Sequence, residues 1–91
     1  MGRRPRPRPE RLGAKLRAIR EALGLSQTGM VKRLDVEGIV ASQISEYETG
    51  KREPSLITLL HYARLANVHM DVLVDDRLDL PAKLPAKLKH S

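Results

Sequence analysis

Short apolar stretches with helical spacing, separated by capping residues, constrain this chain more than any other feature. Leucines and isoleucines recur three or four residues apart, and residues suited to starting or ending a helix stand between the groups. This period is typical of amphipathic α-helices. The pattern predicts an all-α fold of five helices, with residues 10–76 forming one compact domain.

The first two predicted helices are separated by a tight turn. From Glu10 onward apolar residues recur at helical intervals, and Gly24 is placed to end the helix in a left-handed conformation. Ser26 is a natural N-cap for the second helix, in which Gly29 is a weak point. The residues expected to face the core are Leu12, Leu16, Ile19, Leu23, Met30, Val31 and Leu34.

Three further helices follow a connection that lacks a helical period, at residues 35–39. Helix 3 ends near Gly50, Ser55 caps helix 4, and Asn67 suits a left-handed exit into a short helix 5 over 70–74. The residues expected to face inward are Ile44, Tyr47 and Glu48 in helix 3, and Leu56, Leu59, Leu60, Ala63 and Ala66 in helix 4.

The net charge of +6 is concentrated at the two ends of the chain. Residues 1–20 carry eight basic side chains against one acidic, whereas residues 21–79 carry six basic and ten acidic. This layout indicates that the two ends of the chain bind a polyanion. Nucleic acid is favoured over a membrane surface, because no amphipathic basic helix accompanies the basic residues at the start of the chain. Residues 1–9 alternate Arg with Pro and predict a disordered arm whose cations are Arg3, Arg4, Arg6 and Arg8.

Several classes of protein are disfavoured by what the composition lacks. Without Cys, neither a disulfide framework nor a cysteine-based zinc site is available. No apolar run approaches the roughly 20 residues of a membrane-spanning helix, and the first residues do not resemble a signal peptide. Two Tyr with no Phe or Trp leave little for base stacking, which weighs against a single-strand binder. We therefore expect an intracellular protein.

Constellations for catalysis or metal binding are not evident. The three histidines never share a metal-ligand spacing, and the aspartates near the end of the predicted domain lack the pattern of a calcium loop. Helix capping and solvation explain these aspartates better; they are Asp71, Asp75, Asp76 and Asp79. No phosphate loop, activated nucleophile or carboxylate pair is found, so no enzymatic activity, metal or cofactor is assigned.

Three sequence blocks resemble one family. They are REALGLSQ at 20–27, ISEYETGKREPS at 44–55 and LLHYARLA at 59–66. In this order they closely resemble the phage repressor and Cro family of helix-turn-helix regulators, also called the xenobiotic response element family. The resemblance implies a bacterial, cytoplasmic, nucleoid-associated transcription regulator. Such a protein binds double-stranded DNA as a homodimer, and no small-molecule effector is evident.

The resemblance also implies roles for three groups of residues. Base contacts would come from the exposed face of helix 3, at Ala41, Ser42, Gln43, Ser45 and Glu46. Phosphate contacts would come from the start of helix 2 and from the turn after helix 3, at Ser26, Gln27, Lys51 and Arg52. A partly buried salt bridge would join Arg20 and Glu48.

Some of these assignments have structural alternatives. Ser26 is an N-cap whether or not it meets a phosphate, and Glu46 either accepts from cytosine N4 or is held by Arg52 as part of the fold. Lys51 and Arg52 either neutralise phosphates or form a solvated turn. The connection before helix 3 is longer than the commonest family spacing, which puts Val40 at the N-cap and makes Ser42 the alternative cap of a shortened helix.

The two ends of the chain have open roles. The Arg-Pro arm either follows an adjacent minor groove or only increases solubility. The sequence of residues 77–91 predicts an extended tail. Together with helix 5, this tail is the favoured dimerisation surface, because its leucines have no other expected partner. These leucines are Leu78, Leu80, Leu84 and Leu88. Two rivals to a repressor remain: an antitoxin or restriction-modification controller of the same fold, and a protein-interaction module that does not read DNA.

Overall fold

The computed structural model of the 91-residue chain describes residues 9–85. Over that range it contains five helices and no strand: α1 Leu12–Ala22, α2 Gln27–Leu34, α3 Ala41–Glu48, α4 Leu56–Ala66 and α5 Met70–Val74. The prediction of an all-α, five-helix fold is confirmed. The cations of the predicted arm and Leu88 of the predicted tail lie outside the described residues.

The helices begin and end at the residues that the capping pattern indicated. The hydroxyl of Ser26 accepts a hydrogen bond of 2.9 Å from the third backbone amide of α2, and Ser55 does the same for α4 at 3.1 Å. Gly24 and Asn67 adopt the left-handed conformation, with φ of 71° and 58°. These local signals therefore decide where the chain turns.

One largely aliphatic core fills the space between the helices. Its members are Leu12, Leu16, Ile19, Met30, Leu34, Ile44, Tyr47, Leu59, Tyr62, Ala63, Ala66 and Leu73. Each large apolar side chain buried here stabilises the fold by about 1.5–3 kcal/mol before chain entropy is counted. Since α3 packs against both α1 and α2, it is held on two sides and presents the remaining face to solvent.

The buried face of α4 differs from the prediction. Leu59, Ala63 and Ala66 are buried as expected, but Leu56 is 70% exposed, and Tyr62, which was not predicted, is fully buried. Burial raises the pKa of the Tyr62 hydroxyl. Residues 56–60 are apolar at four of five positions, so their spacing does not decide which face turns inward.

A clasp formed by Asp76 and Asp79 joins the segment after α5 to the start of α1. The Asp76 carboxylate accepts hydrogen bonds from the backbone amides of Glu10 at 2.9 Å and Arg11 at 3.0 Å, so it caps α1 from a distant part of the sequence. The Arg11 guanidinium donates to the Asp76 carbonyl at 2.8 Å and pairs with the Asp79 carboxylate. Capping, the role expected for this group of aspartates, is the role of Asp76.

Lys15 closes the other end of the same junction. Its side chain is buried, and Nζ donates to the carbonyl oxygens of Val72 at 2.7 Å and Asp75 at 3.0 Å. These carbonyls belong to the C-terminal end of α5, where helix carbonyls lack intrahelical partners and the helix dipole favours a cation. Lys15 is therefore a structural residue.

Residues 77–85, which include the first of the two Pro-Ala-Lys-Leu copies, form neither helix nor strand, as predicted. However, Leu80 and Leu84 are half-buried against the core, and the segment lies beside Ala18 and Ala22 of α1. The expectation that these two leucines lack a partner within the subunit is wrong, because the segment folds back along α1. Leu78 remains 39% exposed.

We expect acid to weaken the clasp. Within the clasp, hydrogen bonds from backbone amides lower the pKa of Asp76, and Arg11 lowers that of Asp79. Next to the clasp, Arg77 lowers the pKa of Asp75 to about 2. Their pKa values in the folded state lie below the ordinary 3.8. Their contribution to stability is therefore complete above that value and is lost as the pH falls through the folded-state pKa. The thermal unfolding midpoint, followed by circular dichroism, should fall between about pH 5 and pH 2.

Asp76→Ala isolates the clasp from other effects of acid. The variant should melt a few degrees below the wild type at neutral pH and lose less stability on acidification, since one of the responsible carboxylates is gone. Glu37→Ala removes the same charge from an exposed position before α3 and should keep the wild-type pH profile. If Asp76→Ala and the wild type lose stability in parallel down to pH 2, the clasp does not stabilise the fold.

Candidate nucleic-acid interface

The outward face of α3 lies opposite its buried residues. Ile44 and Tyr47 are buried, and the Glu48 side chain, 4% exposed, also turns inward. With 3.6 residues per turn, Ser42 and Glu46 lie one above the other on the opposite side of the helix. Ser42 is exposed and Glu46 partly exposed, so these two residues form the centre of the outward face.

The start of α3 corrects one expectation about this face. The helix begins at Ala41, so Ser42 is not the cap of a shortened helix. Val40 is the N-cap residue, and its backbone amide donates to Oε1 of Gln43 at 3.1 Å. A two-pronged contact from Gln43 to adenine would have to share this oxygen between the Val40 amide and adenine N6, which an amide oxygen with two lone pairs allows.

Glu46 is paired with Arg52 across the end of α3. Arg52 Nε donates to Glu46 Oε1 at 2.7 Å, and this hydrogen bond raises the pKa of Arg52. The backbone amides of Lys51 and Arg52 both donate to the Glu46 carbonyl, at 2.9 and 3.3 Å. Of the two alternatives for Glu46, the structure contains the contact with Arg52.

Arg20 and Glu48, the pair expected from the sequence, form a two-pronged salt bridge. Arg20 Nε and Nη2 donate to the two carboxylate oxygens of Glu48 at 2.6 and 3.1 Å. Arg20 Nη1 also donates to the Leu25 carbonyl at 2.9 Å, and Gln27 Nε2 donates to Glu48 Oε1 at 3.3 Å. Glu48 thus ties α1 and the start of α2 to the end of α3.

The close approach of α1 to α3 depends on Gly13. A Cβ atom at this position would lie 2.7 Å from the carbonyl oxygen of Glu48 and 2.8 Å from that of Tyr47. Both neighbours are backbone atoms, which cannot move aside as a flexible side chain would. Gly13 was not among the residues predicted from the sequence, although a glycine within a helical pattern is a known signal of close packing.

The start of α2 offers hydrogen-bond donors beside α3. Ser26 is exposed and uses its hydroxyl oxygen to cap the helix. Gln27 Nε2 donates one of its hydrogens to Glu48, so its second amide hydrogen is available to another acceptor. A phosphate contact by either residue stays a prediction.

The cations on α1 and at its N-cap are held by contacts within the fold. All four cations of α1 and its N-cap have partners: Arg11 pairs with Asp79, Lys15 with carbonyls of α5, Arg17 with Glu21, and Arg20 with Glu48. Across residues 9–85, the cations whose side chains make no hydrogen bond or ion pair in the structure are Lys32, Arg33, Lys51, Arg64 and Lys83. Apart from Lys83, all of these lie on or after α2 and before α5, so α1 supplies no free cation to a polyanion.

Residues 9–85 contain neither a metal-binding cluster nor a membrane-spanning helix. No group of three or more acidic or histidine side chains is placed to hold a metal ion among residues 9–85. None of the helices described is long and apolar enough to cross a membrane. Of the histidines, His61 is half-buried and His69 exposed.

Comparison with known proteins places the chain in a family. Residues 11–76 match the family model described as "Helix-turn-helix domain". A similar solved structure is the P22 c2 repressor protein in complex with synthetic operator 9T in the presence of Tl+. It is 26% identical, covers 71% of this chain and 94% of that chain, and superimposes with a TM-score of 0.62. No curated protein sequence matches the chain. The chain belongs to the helix-turn-helix domain family, and its fold is that of the phage repressor-like regulators.

Proposed function

We propose that this protein is a transcription regulator that binds double-stranded DNA by placing α3 in the major groove. The observation that carries the proposal is the exposed polar face of α3, which lies between the capped start of α2 and the Lys51-Arg52 turn. This arrangement occurs in a fold shared with a repressor solved on its operator. A helix end with free amides and a neighbouring cation suits phosphates, while the helix face suits base edges.

Base contacts are assigned to the outward face of α3 and its margins. Ser42 and Ser45 donate to or accept from several bases, Ala41 contacts a thymine methyl group, and Glu46 accepts from cytosine N4. Phosphate contacts are assigned to Ser26, Gln27, Lys51 and Arg52. None of the base-facing side chains grips guanine as an arginine does, so each half-site contributes little affinity by itself.

The low affinity expected of one subunit for one half-site favours a dimer that binds a palindromic operator. Two copies related by a two-fold axis place two α3 helices in successive major grooves about 34 Å apart. Val74 and Leu78, both 39% exposed, support the region around the end of α5 as the contact between subunits. We further propose that the dimer represses by occupying a promoter, and that the Arg-Pro arm contacts adjacent DNA.

Salt-dependent binding to duplex DNA tests the proposed function. In fluorescence anisotropy with a labelled duplex, affinity should fall steeply with added salt, and each neutralised phosphate should add about 0.9 to the slope of log K against log salt. A combined change of Ser42, Ser45 and Glu46 to Ala should abolish sequence preference but leave weak binding to any duplex. Binding that is absent or insensitive to salt would instead favour a protein-interaction module.

A further inference from the structure

We infer that Arg52 determines base specificity at the interface by positioning the Glu46 carboxylate. In this arrangement one oxygen of Glu46 faces the edge of a base while the outer nitrogens of the Arg52 guanidinium face the neighbouring phosphate. The inference rests on the proposed function and deepens it, because it names a second residue that controls what α3 reads and the base that it prefers.

The geometry of the Glu46–Arg52 pair leaves polar atoms on both sides for a ligand. One hydrogen bond, from Arg52 Nε to Glu46 Oε1, joins the pair. The Glu46 side chain is 39% exposed and the Arg52 side chain 51%. The Arg20–Glu48 pair, in contrast, uses both carboxylate oxygens and lies almost entirely out of solvent. The Arg20–Glu48 pair is therefore satisfied within the fold. In the Glu46–Arg52 pair, Oε2 of Glu46 and both terminal nitrogens of Arg52 have no partner among residues 9–85.

The turn after α3 fixes where Arg52 stands. Its backbone amide and that of Lys51 donate to the same Glu46 carbonyl, so the chain folds back over the residue that the Arg52 side chain contacts. Lys51 is anchored in the same way, but its side chain makes no ion pair in the part of the chain that the structure describes. The two neighbours therefore carry the same charge at the same turn, and of their two side chains that of Arg52 alone contacts Glu46.

Charge explains why a carboxylate on this face needs a partner. Ser42 and Ser45 are neutral, so an unpaired Glu46 would place a net negative charge against DNA phosphates. Pairing with Arg52 brings the local charge to zero and allows the carboxylate to approach the groove. An ionised carboxylate only accepts hydrogen bonds, so it favours the N4 amino group of cytosine and disfavours the acceptor edges of guanine and thymine.

A selection from a pool of randomised 20-base-pair duplexes, carried out with the full-length chain, tests the inference. The wild type should enrich cytosine at one position of each half-site, with a preference of about fivefold or more over guanine or thymine. Arg52→Ala should lose this preference at that position alone and keep the rest of the recovered sequence. Glu46→Gln should change the preference at the same position, because an amide both donates and accepts.

Lys51→Ala is the matched control for the lost charge. It should recover the wild-type sequence with lower affinity and a salt slope smaller by about 0.9. If Arg52→Ala also recovers the wild-type sequence, Arg52 is only a phosphate contact and the inference is overturned. If Arg52→Ala fails to fold, Glu46→Gln decides: an unchanged preference overturns the inference. A wild type that enriches no sequence overturns the proposed function itself, which is a different result from either of these.

Discussion

Replacing Gly13 with alanine is expected to destabilise the protein by about 3 kcal/mol, at the upper end of the usual cost of overpacking a core. The added methyl group would lie within 3 Å of the carbonyl oxygens of Tyr47 and Glu48, so α1 must move away from the end of α3. Urea unfolding followed by circular dichroism measures the effect. Weaker DNA binding should accompany it, because the same junction holds α3.

Gly29→Ala is the control for this variant, since it makes the same substitution inside a helix. A Cβ atom at Gly29 has its nearest neighbour at 3.3 Å, the hydroxyl oxygen of Ser26. This position is the third residue of α2, where capped helices ordinarily carry a side chain. Alanine therefore needs a shift of only a few tenths of an ångström in the Ser26 side chain, and the stability should stay within about 1 kcal/mol of the wild type. Equal stability losses in the two variants would mean that general helix effects, and not the contact with α3, explain the result.

Arg20→Met is expected to destabilise the protein by about 3 kcal/mol. The substitution leaves the inward-facing carboxylate of Glu48 with Gln27 as its remaining side-chain donor in the described structure, and it also removes the bond to the Leu25 carbonyl. An uncompensated charge in a site of low polarity is costly, whereas a well-packed apolar replacement of both partners often is not. The double variant Arg20→Met/Glu48→Leu should therefore recover part of the loss.

Arg17→Met provides the matched comparison on the same helix. Its pair with Glu21 is exposed on both sides, and such pairs within one helix contribute about 0.5 kcal/mol or less. Chemical denaturation of Arg20→Met, Glu48→Leu and their double variant gives the coupling energy of the buried pair. An Arg20→Met variant as stable as Arg17→Met would contradict a structural role for the buried pair.

Helix positions could be predicted because their signals are local. Ser26 and Ser55 cap helices through their own hydroxyl groups, and Gly24 and Asn67 adopt the left-handed conformation that ends a helix. Each signal acts within a few residues and does not depend on the rest of the fold. The resemblance of the three sequence blocks added the pairing of Arg20 with Glu48, which local pattern alone does not indicate.

The rest depended on contacts between distant parts of the chain. Asp76 accepts a hydrogen bond from the backbone amide of Glu10, which lies 66 positions away in the sequence. Lys15 donates to a carbonyl of α5 more than 50 positions away. No sequence pattern marks such contacts, so the sequence did not indicate that Arg11 pairs with Asp79 or that Lys15 is bound by carbonyls of α5. The buried face of α4 was partly wrong for another reason, since its first turn is apolar on several sides.

These long-range contacts decide which cations are available to bind DNA. Because the cations of α1 are occupied within the fold, attraction for DNA must come from elsewhere. Of the cations outside α1, Lys51 and Arg52 lie in the turn directly after α3, and the predicted arm is a further source of positive charge, whereas residues 21–79 carry more acidic than basic side chains. This distribution makes the turn after α3 more important than the overall charge of the chain suggests.

The most direct measurement is an NMR titration of the isotope-labelled protein with a duplex recovered by selection. Backbone amide shifts should change most at the start of α2, along the outward face of α3 and at Lys51 and Arg52. Shift changes in the clasp and in residues 80–85 should be smaller. Changes that are largest at the clasp, or no changes at all, would contradict the account that α3 and its flanking turn bind DNA.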